Sequence, residues 1–307
     1  MNKRKVVVVK THGKVILIGE HSVVYGKDAM ALPIHALNID TSVEAYHDGI
    51  WMDTLRYQGP YLTAPAEYNG LKHVVKKILS KIPTPCSIKI TYTGEIPMER
   101  GLGSSAVVAL GTAKALNEYF ALKMTAEEIT DITNEAETIN HGKASGLDAA
   151  TVQSDYLVFF NKNMGPKVLS EKLGATLLIM DTGELGNTKE AVSSVKYQIE
   201  HDIAKKEAID KLGYLADQTK DYWFKKDAPM VGTIFNEAQD ILANFGLSTT
   251  RINNLCNIAN KNGAYGCKLS GGGLGGIVIA LCPNQEVASN IAQLAINNYE
   301  NYWIEEI

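Results

Sequence analysis

No basic tract, no apolar run of membrane length and no metal-spaced cysteine occurs in these 307 residues. Each absence removes a class of function. Formal net charge is −4, with charges spread along the chain, so nucleic acid is not the expected partner. Spanning a bilayer takes about 20 consecutive apolar residues, and no such run is found. The short stretch Lys5–Val9 is flanked by charge and reads as a strand, not a leader. The four cysteines, Cys86, Cys256, Cys267 and Cys282, are scattered. They read as buried, reduced thiols of a cytoplasmic protein, in preference to disulfides or zinc ligands. Two familiar phosphate signatures are missing as well. No Gly-Lys-Ser/Thr follows a Walker spacer, and Gly101-x-Gly103 lacks the third glycine of the dinucleotide fingerprint. At 45% hydrophobic, the chain can still build substantial cores, and its length fits one large domain or two moderate ones.

What the chain does have is glycine beside chemistry-bearing side chains. Cys86–Thr93 reads as a strand and Ala106–Tyr119 as a helix. Between them runs Pro97-Met98-Glu99-Arg100-Gly101-Leu102-Gly103-Ser104-Ser105. Paired glycines let a ligand approach the main chain closely. The helix that follows opens with unpaired N–H groups and roughly half a positive charge. Strand, glycine turn and helix N-terminus make an anion cradle, and phosphate is the commonest anion for it. Ser104 and Ser105 add hydroxyls for a ligand's oxygens or for a metal it carries. The stretch is also compatible with an ordinary loop and a serine N-cap.

Upstream, strands at Lys5–Val9 and Val15–Ile18 enclose Thr11-His12-Gly13-Lys14, and Gly19-Glu20-His21 follows. Lys14, Glu20 and His21 are candidate site residues on the rim of a sheet, or else surface charge beside a turn. Further strands are expected at Ile39–Tyr46 and Trp51–Leu55, with a loop over Arg56–Tyr68 and a helix over Gly70–Lys81. Thr125-Ala126-Glu127-Glu128 is a capping box that starts a helix from Ala126 to about Asn140. Glu137 falls near its C-terminal end, where the helix dipole disfavours a carboxylate. A metal, a lysine or solvent exposure would compensate it. Asp148 ends a small-residue loop and reads either as an N-cap or as a base facing the cradle. Helices are predicted over Ala191–Lys211, Leu212–Lys225, Val231–Asn244 and Thr249–Lys261. Ser270–Gly276 places five glycines in seven residues between the strands Ala264–Leu269 and Ile277–Leu281. A hairpin needs one or two, so this loop is expected to lie close to a ligand or to the cradle helix. The shift from strand-plus-helix to mostly helix suggests a second lobe beginning near Leu173, and the strand–helix–strand–strand pattern in its last part suggests that this lobe is ferredoxin-like α+β.

Three segments together resemble the three motifs of the GHMP kinases: Gly13–His21, Gly101–Ala106 and Lys268–Gly273. Their order and separation match over essentially the whole chain. Within that superfamily, Gly19–Gly26 is most similar to the branch that phosphorylates mevalonate. So are Ser145-Gly146-Leu147-Asp148, preceded by Glu137 and His141, and Asp181-Thr182-Gly183 running on to Thr188. His12 departs from the proline common before Gly-Lys, a change expected to alter loop stiffness rather than chemistry. The resemblance implies a two-lobed α+β fold, with a ribosomal-protein-S5-like lobe over 1–172 and a ferredoxin-like lobe over 173–307. It implies ATP and Mg2+ as cofactors and mevalonate as the small-molecule substrate. Gly101, Leu102, Gly103, Ser104, Ser105 and Ala106 would cradle the phosphates. Ser105 and Glu137 would ligate magnesium, and Asp148 and Lys14 would flank the reacting hydroxyl. Glu20, His21 and Thr188 would lie near the acceptor, while Gly271, Gly272 and Gly273 would support the phosphate loop. Alternatives are a kinase of phosphomevalonate or homoserine, the related decarboxylase, and a catalytically silent sensor. A phosphorylated acceptor should demand more Lys or Arg than Lys14 supplies in the first two motif regions. Neither nucleic acid nor membrane is implied, and a homodimer stays open.

Overall fold

The chain opens with two long strands, β1 (Val6–Ile18) and β2 (Ala29–Ala45), in a computed structural model that describes residues 5–94, 96–97, 100–142 and 145–307. β1 is one strand where two were expected. Its polar interruption is satisfied internally: the one hydrogen of the Thr11 hydroxyl is shared between the carbonyls of Ile39 at 3.3 Å and Val107 at 3.2 Å. A buried hydroxyl with partners does not end a strand. β2 begins ten residues earlier than expected, because Ala29–Ile34 is buried on both faces and shows no alternation.

β3 (Ile50–Asp53) and β4 (Gln58–Pro60) follow, the second inside the stretch expected to be loop. Two short 3-10 turns lead into α1 (Asn69–Leu79), then β5 (Ile88–Gly94) and α2 (Ser104–Phe120). α3 (Ala126–His141) has both bonds of its capping box, Glu128 N–H to Thr125 Oγ1 at 3.2 Å and Thr125 N–H to Glu128 Oε2 at 2.8 Å. α4 (Leu147–Val152), β6 (Leu157–Asn161), β7 (Gly165–Leu169) and β8 (Thr176–Asp181) come next. β7 shows little apolar signal, since three of its five residues are exposed.

α5 (Thr188–His201) and α6 (Ile203–Phe224) are divided at Asp202, not at the 211–212 boundary the periodicity suggested. Asp202 is extended (φ −139°), and its carboxylate accepts the Ala204 N–H at 2.9 Å. An aspartate N-cap ends one helix and starts the next without glycine or proline to mark the break. α7 (Ala228–Asn244), α8 (Thr250–Lys261), β9 (Gly266–Ser270), β10 (Ile277–Cys282), α9 (Gln285–Leu294) and β11 (Asn301–Glu306) complete the chain.

Two compact units divide these elements. Unit 1 comprises 1–13, 37–96 and 103–153. In it β4, β3, β5 and the later part of β2 lie side by side, with β3 parallel to β5 and β5 antiparallel to β2. α1, α2 and α3 pack on one another. α2 is buried on most sides, as its run of Ala, Val and Leu requires. Unit 2 comprises 14–36, 97–102 and 154–307. Its main sheet is antiparallel in the order β11–β8–β10–β9, with β8, β9 and β10 wholly buried. β11 and β9 are its two edge strands. α7 lies so close on β9 that a Cβ at Gly266 would sit 1.8 Å from the Gly232 carbonyl oxygen. In the same unit the first residues of β2 pair with β6, and β6 pairs with β7. Cys256, Cys267 and Cys282 are buried and Cys86 half-buried, and all four are free thiols. Among the described residues no helix is long and apolar enough to cross a membrane.

Candidate active site

In unit 2 the three glycine-bearing segments are bonded to one another. The Lys14 N–H donates to the Leu102 carbonyl at 3.0 Å, which ties β1 to the glycine turn. The Ser270 hydroxyl grips β1 twice, accepting the Ile16 N–H at 3.0 Å and donating to the Ile16 carbonyl at 2.9 Å. At Gly101, φ is +84° and an added Cβ would lie 3.1 Å from the Ser270 carbonyl oxygen, so both conformation and space call for glycine there. The glycine-dense loop therefore meets residues 100–102, the turn that precedes the cradle helix: a Cβ at Gly276 would lie 2.8 Å from the Arg100 carbonyl oxygen.

Lys14 is 2% exposed and Glu20 1% exposed, which rules out the surface-charge reading for both. His21, 7% exposed, sits at φ +60°, a sparsely populated region for a residue with a side chain. Its Nε2–H donates to the Gly272 carbonyl at 2.9 Å, so the strained backbone delivers the ring to the glycine loop. Burial holds the imidazole below its ordinary pKa of 6.5. Thr188 opens α5 directly against Gly272, where an added Cβ would be 2.9 Å from Thr188 Oγ1. Arg100 Nε stands 3.4 Å from Asp181 Oδ1, and burial pushes the Asp181 carboxyl up despite that guanidinium and a bond from the Gly183 N–H.

The sequence reading passed over Lys268. Its ammonium binds Glu20 Oε1 with neither side chain exposed, donates to the Leu269 carbonyl at 2.7 Å and stands 5.8 Å from the Phe235 ring centre. Glu20 Oε2, also buried, has no hydrogen-bond partner among the described residues. Burial raises the Glu20 carboxyl and lowers the Lys268 ammonium toward each other. β9 is buried on both faces, so alternation could not single the lysine out. Its signal was a charge inside the apolar run Tyr265-Gly266-Cys267-Lys268-Leu269.

Unit 1 carries the other candidates. Gly103, not a serine, is the N-cap of α2 (φ +73°), so the cap position brings no side chain to the first-turn N–H groups. That favours the anion cradle over the plain capped loop. Ser104 is buried and Ser105 half-buried, and Ala106 is wholly buried beneath them. The Ser105 hydroxyl donates to Glu137 Oε1 at 2.5 Å. Glu137 is 4% exposed near the C-terminal end of α3, with His141 Nε2 3.8 Å from its other oxygen. Asp148 is half-buried in the first turn of α4, whose N-cap is Gly146 and not Asp148 itself. Lys143 and Ala144, in the loop before it, lie outside the described residues. Asn140, whose side chain also reaches Ser105, was not singled out from sequence.

First-turn N–H groups beside a serine–carboxylate pair are an arrangement suited to an anion such as phosphate. Two family models match in order, the GHMP kinases N terminal domain over residues 69–154 and the GHMP kinases C terminal domain over 220–301, together more than half the chain. The chain belongs to the GHMP kinases. A mevalonate kinase of Pyrococcus horikoshii is 28% identical over 99% of this chain and 99% of its own length. That of Pyrococcus abyssi is 29% identical over 94% of this chain and 92% of its own length. The solved mevalonate kinase of methicillin-resistant Staphylococcus aureus is 28% identical, with a TM-score of 0.75 over 98% of this chain and 99% of that one.

Proposed function

We infer that the chain is a mevalonate kinase. It transfers the γ-phosphoryl of ATP to the primary hydroxyl at C5 of mevalonate, giving 5-phosphomevalonate and ADP. The observation that carries this is similarity along nearly the full length of curated relatives that are mevalonate kinases. Phosphoryl transfer asks a protein mainly for positioning and charge neutralisation. The first-turn N–H groups at the start of α2 suit the nucleotide's phosphate oxygens. Magnesium fits the pair Ser105–Glu137, two oxygen donors 2.5 Å apart with the carboxylate buried. It commonly takes one or two carboxylates and completes its shell with phosphate oxygens and water. When bound, it neutralises charge on the transferring phosphate. We assign to Asp148 the proton of the acceptor hydroxyl. Lys14 is assigned the stabilisation of the alkoxide as that proton leaves. Glu20, His21 and Thr188 are assigned to the acceptor, with Lys268 holding Glu20. Gly271, Gly272 and Gly273 are assigned the support of the turn at Gly101.

ADP release measured with mevalonate, phosphomevalonate and homoserine as separate acceptors tests the reading. Turnover is expected with mevalonate. Faster turnover with either other acceptor, or none with all three, refutes it.

A further inference from the structure

One side-chain amide on α3 joins three helices of unit 1. Asn140 Oδ1 accepts the Gly70 N–H at 3.1 Å, and Asn140 Nδ2 donates to Ser105 Oγ at 2.7 Å. Gly70 is the second residue of α1, so its N–H has no partner within its own helix. α1 and α3 meet so closely there that a Cβ at Gly70 would lie 2.7 Å from both terminal atoms of the Asn140 amide.

The direction of every proton in this chain follows from that one backbone group. A backbone N–H can only donate, so the amide oxygen must face Gly70 and the amide nitrogen must face Ser105. Ser105 Oγ is thereby made an acceptor toward Asn140. Its own hydrogen goes to Glu137 Oε1, at 2.5 Å. A hydroxyl has one hydrogen and two lone pairs. With the hydrogen and one lone pair engaged among the described residues, one lone pair of Ser105 remains, at a set angle.

We propose that Asn140 is a positioning residue for the divalent cation, fixing the Ser105 rotor so that its remaining lone pair points where the metal binds. This rests on the assignment of Ser105 and Glu137 as magnesium ligands. Without the amide, only the bond to Glu137 orients the hydroxyl; the Ser105 oxygen can then rotate about that bond, and the lone pair offered to the cation is no longer set. Outer partners that orient metal ligands change affinity by about 10- to 100-fold.

The experiment titrates Mn2+ by electron paramagnetic resonance into the protein with a non-hydrolysable ATP analogue, and measures the magnesium half-saturation of turnover alongside. N140L keeps the heavy-atom count and branching of the side chain and removes both bonds. Both readings are expected to weaken about tenfold, with KM for the acceptor unchanged. G70A displaces the amide from α1 while adding nothing near the metal, and is expected to shift both readings the same way. A residue that served only to pack α1 on α3 would lower the melting temperature without moving either reading. E137Q separates the two layers. If E137Q weakens Mn2+ binding and N140L and G70A leave it within twofold of the parent, Asn140 has no positioning role. If E137Q also leaves it unchanged, the ligand assignment itself is wrong and the proposal goes with it. Should N140L not fold, N140S, too short to reach Ser105, provides the same readout.

Discussion

Removing the ammonium from the Lys268–Glu20 pair should be costly in a way that only a second substitution repairs. K268M keeps an unbranched side chain of similar length but leaves the Glu20 carboxylate buried, with one oxygen already lacking a partner among the described residues. Taking one member from a buried ion pair costs about 3–5 kcal/mol, because the remaining charge is desolvated without compensation. With about 2.1 cal/mol/K of unfolding entropy per residue, 307 residues carry ~0.65 kcal/mol/K. The loss then lowers the melting temperature by ~5–8 °C if the chain melts as one. If unit 2 melts alone, the same loss falls on fewer residues and the drop is larger. The double variant E20Q/K268M has no buried charge and is expected to recover most of that stability, since neutral replacement of both partners is often tolerated. It should not recover activity if Glu20 serves the acceptor. The pH dependence has a definite sign. Glu20 in K268M has a folded pKa raised above its ordinary 4.5 by burial. Its protonated form is therefore stabilising below that value, and the stabilisation is lost as pH rises through the raised folded pKa. The gap between K268M and parent should accordingly narrow as pH falls. Thermal melts followed by circular dichroism at pH 5 and pH 8 provide the measurement. A melting temperature for K268M within about 1 °C of the parent at pH 8, or no recovery in the double variant, refutes the reasoning.

Three further outcomes are expected. D148A should lose about 10²-fold or more in kcat with a modest change in the KM for ATP; near-normal turnover removes Asp148 from the mechanism. E137Q should raise the magnesium concentration needed for half-maximal rate, and an unchanged requirement returns Glu137 to a structural role. His21 is buried neutral below its ordinary pKa of 6.5, so the unfolded chain takes up a proton that the folded chain refuses as pH falls past that value. Urea melts at pH 7.5 and 5.5 should show H21Q, which keeps a donor for the Gly272 carbonyl, losing less stability on acidification than the parent. Equal losses would place the acid sensitivity elsewhere.

Much of the site was legible because its residues sit beside glycines whose local geometry is dictated by sequence. Gly101 and Gly103 adopt the positive φ that a turn into a helix N-terminus requires. The capping box at Thr125 formed both of its bonds. Elements were missed where burial erased the pattern, as at the start of β2, or where exposure left none, as at β7. The helix break at Asp202 was missed because the apolar period continues across it and only a cap marks it.

Sequence alone determined the family, the order of the three motifs and the choice of Lys14, Glu20, His21, Ser105, Glu137 and Asp148 as the residues proposed for the site. Those are matters of which residue types stand at which spacing, and one dimension records them. Tertiary structure decided that Lys268 neutralises Glu20 from 248 residues away and that Asn140 orients Ser105 from the facing helix. Strand register and helix packing set such pairings, and both depend on how whole faces are buried against each other. No local pattern in the chain encodes that, so the partners became visible only once the faces had met.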